Sequence, residues 1–183
     1  MNWYKLSQTT STENKTYNIG PYHNLTLLGC GEAGGCAYFD SSTGHAIKQT
    51  VSETEVSRAM DLLDKDYVFF PHVYNVTTYG ESWLIEREEI PSLDPASQDL
   101  LDTVQMALEE VNYDREQLQF QLIETLEDYG ISPDDNYDRA MLMSNKLLAL
   151  IDSVESIGGL PGEIRGDNIG IRNGEFVVRD IDV

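Results

Sequence analysis

The spacing of apolar residues changes character near residue 90, and that change limits the folds open to the chain. Up to Ile90 the apolar residues come in short runs bounded by turn formers. Leu25-Thr26-Leu27-Leu28, Cys36-Ala37-Tyr38-Phe39 and His45-Ala46-Ile47-Lys48-Gln49 read as strands of an antiparallel meander, with Ser41-Ser42-Thr43-Gly44 as one turn. Ser52 followed by Glu55 reads as a capping box opening a helix that runs to about Leu63. Its apolar stripe is Val56, Ala59, Met60 and Leu63. Residues 73–77 and 82–86 supply two more strands, which makes a five-stranded sheet. Residues 1–21 are polar and read as an N-terminal arm with room for one short strand.

Beyond Ile90 the period becomes helical. Asp94-Pro95 starts a helix with Leu100, Leu101, Val104, Ala107, Leu108 and Val111 on one face. Asp114 caps a second, carrying Leu118, Leu122, Ile123 and Leu126 and stopped by Gly130. A third runs from Pro133 or Tyr137 to Ile157, with Leu147, Leu148, Ile151 and Val154 on its face, and Gly158-Gly159 ends it. Asn173-Gly174, set between two apolar runs, predicts a closing hairpin. The expectation is an α+β, two-lobed plan: N-lobe 22–90, helical C-lobe 91–183, boundary near residues 87–94.

A chain of 183 residues buries enough surface to fold without a disulfide or metal. Its net charge of −20 argues against direct binding to nucleic acid or an anionic membrane and favours basic partners. Residues 86–138 concentrate that charge, with 16 acidic residues against Arg87 and Arg115. The N-terminus lacks the apolar core of a signal peptide, and no apolar run reaches 18 residues. A disulfide between Cys30 and Cys36 is geometrically possible, but two reduced thiols in a cytoplasmic protein is the preferred reading. Without a secretory signal the Asn-x-Thr triplets at Asn14, Asn24 and Asn75 carry no meaning.

Four features carry chemistry. Gly29-Cys30-Gly31-Glu32-Ala33-Gly34 lies between two strands, where glycines let backbone N–H groups approach an anion. Lys48 stands inside an apolar strand and wants an anionic partner, a phosphate or a helix carboxylate; Glu55 is the nearest candidate and Asp61 the fallback. Asn168 and Asp180 bracket the terminal hairpin, and an amide oxygen beside a carboxylate suits Mg²⁺ with water and phosphate. Glu163 precedes Asn168 by five residues.

In this order the residues resemble the protein-kinase-like family. Gly29, Gly31 and Gly34 are similar to its glycine loop, and Ala46-Ile47-Lys48 to its Val-Ala-Ile-Lys strand. Trp83-Leu84-Ile85-Glu86 resembles the strand that leads to its hinge, Asn168 its metal-binding Asn and Asp180 the Asp of Asp-Phe-Gly. The resemblance implies ATP and Mg²⁺ as cofactors. It implies Lys48, Glu163, Asn168 and Asp180 as catalytic residues and Gly29, Gly31, Gly34, Lys48 and Glu86 as nucleotide-binding residues. Asn168 and Asp180 would be the metal ligands. The compact style is closest to bacteriophage-encoded kinases and kinase-like proteins. Glu163 stands where the family's Asp is usual, Asp180-Ile181-Asp182 lacks the Gly, and the chain stops at Val183. The reading is therefore a truncated, kinase-like nucleotide binder with weak or no phosphotransfer. It would inhibit a basic, DNA-binding host protein through an acidic helical face during host takeover in the cytoplasm. The alternative is an active phage-type serine/threonine kinase.

Overall fold

Thr16-Tyr17-Asn18-Ile19 alternates polar and apolar residues; it is the one short strand for which the N-terminal segment has room, and it pairs with the next strand. The structure is a computed structural model and describes residues 15–31, 35–110, 117, 120, 123–124, 127, 133–159 and 164–179. Strands β1 (Thr16–Ile19), β2 (Tyr22–Cys30), β3 (Cys36–Asp40), β4 (His45–Thr50), β5 (Val73–Tyr79) and β6 (Ser82–Glu88) form one antiparallel sheet in the order β1-β2-β3-β4-β6-β5. Helix α1 (Glu53–Leu62) connects β4 to β5. Helices α2 (Pro95–Glu110) and α3 (Pro133–Ser156) follow, then strands β7 (Ile169–Arg172) and β8 (Glu175–Val178) as a separate two-stranded sheet. The chain divides into two compact units between Ile90 and Pro91.

The two-lobed, protein-kinase-like α+β fold with a five-stranded N-lobe sheet is thereby corrected. The main sheet has six strands, and β7 and β8 form a second sheet of two strands. The sixth strand joins for a physical reason: Ile19 is buried and Tyr17 packs against the same apolar cluster. That burial repays the ordering of a polar segment.

In the first unit the sheet is strongly curled. Tyr22 on β2 donates its hydroxyl to Glu86 Oε2 on β6 at 2.9 Å, although β3 and β4 lie between those strands. In a flat sheet three strand spacings would separate them by about 14 Å. The curl encloses a core of Ile19, Leu25, Tyr38, Ile47 and Leu84. The opposite face of the sheet carries α1, whose buried residues are Glu55, Val56, Ala59 and Leu62. The stripe is rotated from the expected one, and Met60 is exposed. Glu55 takes a buried position because a lysine on the sheet pairs with it, and the helix turns to allow this.

In the second unit α3 buries Leu147, Leu150, Ile151 and Val154. It ends in a Schellman motif, with Gly159 N–H donating to Val154 O and Gly158 N–H to Glu155 O. The β7–β8 hairpin turns at Asn173 (φ 54°) and Gly174 (φ 82°), the signs a type I′ turn demands. Lys146 on α3 fastens that turn, donating to the Gly174 carbonyl at 3.0 Å and to Glu175 Oε1 at 2.9 Å. Among the described residues no helix is long and apolar enough to cross a membrane.

Candidate functional site

Lys48 pairs across β4 with Ala37 of β3 and Ile85 of β6, so these three share one face of the sheet. Gly29 continues the row through its pairing with Ala37. The two positions on the glycine-loop side of Lys48 thus carry a methyl group or nothing. Lys48 Nζ lies 2.6 Å from Glu55 Oε1, with the side chains 5% and 1% exposed. Glu55, not Asp61, is the partner. Ser52 caps α1 by accepting from Glu55 N–H at 3.2 Å, while its own N–H donates to Thr50 Oγ1. The expected capping box thus shows its Ser52 half, and the Glu55 carboxylate is turned to Lys48.

Burying two charges costs several kcal/mol per ion, and only good geometry repays it. At 2.6 Å the two charges are in direct contact, which supplies the Coulombic part of that repayment. The contact also fixes the lysine head, which is what a phosphate oxygen needs from a cation. Gly35 lies against the same lysine: a Cβ built there would stand 3.1 Å from Gln49 O and 3.9 Å from Lys48 Cε. A side chain at Gly35 would therefore crowd the β4 backbone. Gly31 N–H donates to Gly35 O at 2.8 Å and closes the neck of the glycine-rich segment. Gly34 lies outside the described residues.

The cysteine reading is corrected here. Cys30 and Cys36 are joined by a disulfide, because the β2–β3 register sets them directly opposite at the end of the ladder, Cα to Cα 4.0 Å. Spacing across a glycine-rich turn is the sequence signal for this bridge, and it is independent of compartment.

Glu86 is placed apart from Lys48. It pairs with Ile47, so its side chain leaves the opposite face of the sheet, toward the curled core. There His45 Nδ1 lies 2.7 Å from Oε1, Tyr22 donates to Oε2, and His45 stacks on Tyr74 with ring centroids 3.9 Å apart. Burial pushes the Tyr22 phenol up to about 12, opposed by the Asn75 hydrogen bond and reinforced by Glu86. Sequence reading did not find this network, since it depends on the curl.

Asn168 belongs to the second unit. It is buried, its N–H donates to Arg165 O at 2.9 Å, and its carbonyl accepts from Arg179 N–H. The turn that holds it is docked on α2. Gly166 N–H donates to Asp102 Oδ1 at 2.8 Å, and a Cβ on Gly166 would fall 2.5 Å from Gln98 Cα. Only glycine permits that approach. Glu163 and Asp180 lie outside the described residues, so the base and the metal pair are not described. Among the described residues no group of three His, Cys, Asp or Glu side chains is placed to hold a metal. No protein-family model and no curated protein matches the sequence.

Proposed function

We propose that the chain is a nucleotide-binding protein in which Lys48, oriented by Glu55, meets the phosphates, and whose phosphotransfer is weak or absent. One observation carries this reading: the 2.6 Å pair is buried in the sheet next to a glycine-rich turn. The sheet itself would be served as well by two apolar residues. Gly29, in the same row as Lys48 through Ala37, adds a position without a side chain where an anion can approach the sheet closely. Mg²⁺ is the accompanying ion that the motif resemblance implies.

The second half of the proposal is a basic protein partner, inhibited by occupation of its nucleic-acid-binding surface. Its support is the charge imbalance of residues 86–138, in which Asp94, Asp99, Asp102, Glu124 and Glu127 are exposed.

Calorimetric titration with ATP and Mg²⁺ tests the first half. Wild type should bind, and Lys48→Met combined with Glu55→Leu should not, while its circular dichroism remains that of wild type. Equal affinity in both proteins would sink the assignment of Lys48. Radiolabelled ATP tests transfer: rapid labelling of added proteins would replace a weak or silent enzyme with an active kinase.

A further inference from the structure

We infer that the Cys30–Cys36 bridge is a thiol-responsive clip that sets the backbone beside Lys48, so that the redox state of the pair tunes anion binding there. This rests on the reading of Lys48 given above. The bridge and the Gly31–Gly35 hydrogen bond close the same neck, one covalently and one not. Cys36 pairs with Gln49 and follows Gly35 directly, and Gly35 lies against Gln49 O and the Lys48 stem. A movement of the Cys36 backbone is therefore felt at the lysine.

The remainder of the sheet does not depend on the bridge. The β2–β3 ladder continues through Gly29↔Ala37, Leu27↔Tyr38 and Thr26↔Phe39. Opening the bridge loosens the neck and leaves the ladder paired, which gives two states of one element. The two residues differ in access: Cys30 is exposed, whereas Cys36 is half-buried and packs against the apolar cluster. A dithiol reductant attacks through its thiolate at Cys30 Sγ, and the S–S bond breaks. Cys36 leaves as thiolate and takes a proton from water. The reductant's second thiol, as thiolate, then displaces Cys30 from the mixed disulfide, and Cys30 is protonated in turn. The chain gains two electrons and two protons, and the reductant ends as a disulfide.

The test titrates inorganic tripolyphosphate, and separately ATP with Mg²⁺, into the full chain before and after reduction by dithiothreitol. A Cys30→Ser, Cys36→Ser variant receives the same treatment. Amide exchange at Gly31, Gly35 and Gln49 is followed in parallel. Reduction should weaken binding by about tenfold, the scale of ordering one backbone residue, and speed exchange at the three amides. The double variant should behave as the reduced protein under both conditions. Binding that is equal in the two redox states overturns the tuning of anion binding and leaves the Lys48 reading standing. If neither state binds, the Lys48 reading fails and the tuning claim with it. Faster exchange on reduction would then still establish the clip on the backbone, and unchanged exchange would overturn that too.

Discussion

Lys48 and Glu55 stabilise each other only as a pair, and that has a measurable consequence. Lys48→Met leaves a carboxylate buried at 1% exposure, which should cost about 3–5 kcal/mol in urea unfolding. Adding Glu55→Leu removes the stranded charge and should restore most of that loss. If the single variant is as stable as wild type, the pair is not buried as described. Gly166→Ala should destabilise by about 1–3 kcal/mol through overpacking, since the atom it meets is the Gln98 backbone and cannot swing away. Asp40 sets a pH dependence. The Ser42 hydroxyl, outweighing burial, holds its carboxyl below the ordinary carboxylate range. A depressed native value means the stabilisation is complete above the unfolded pKa and is lost as pH falls through the native one. Between pH 7 and pH 3 wild type should therefore lose more stability than Asp40→Asn, and equal losses would contradict the assignment.

At the scale of elements, Ser52→Ala removes the cap of α1 and should cost about 1 kcal/mol, with Ser52→Asp restoring it. Reduction of Cys30–Cys36, a bridge of sequence separation 6, should cost about 2 kcal/mol on the loop-entropy account; both are read from denaturant midpoints at constant slope. How far such elements are legible in sequence depends on how local their causes are. The Asn173-Gly174 turn and the Gly158-Gly159 stop are local, and both stand where the residues place them. Lys48 was legible because a lysine inside an apolar strand requires a partner within reach. In α1 the period alone assigns buried positions to Met60 and Leu63, while pairing with Lys48 draws Glu55 inward and exposes Met60. The position of Glu86 depends on strand order and on the curl of the sheet, which are non-local and leave no periodic trace; β1 shows its own alternation, but its pairing into the main sheet is non-local in the same way. The disulfide depended on register, where a shift of one residue would have separated the cysteines.

For the whole molecule the net charge of −20 acts in two directions. It opposes compaction, so the melting temperature should rise with sodium chloride as the screening length falls from about 30 Å at 0.01 M to about 10 Å at 0.1 M. The same screening should slow capture of a basic partner, because steering is long-ranged. Measured together, a rising melting temperature and a falling association rate across one salt series identify electrostatics as the common cause. Placement of charge is separable from amount. Glu109, Glu110, Glu116 and Glu124 changed to Lys move the net charge from −20 to −12 within residues 86–138. Glu13, Glu32, Glu81 and Asp61 changed to Lys make the same change outside that block. Glu175 is unsuitable for the control, since it holds Lys146 and the hairpin turn. If the acidic segment is a docking face, the first variant should lose association with a basic protein such as a histone-like probe, and the second should retain most of it. Equal losses would show that only total charge matters, and inhibition by a presented acidic face would then be abandoned.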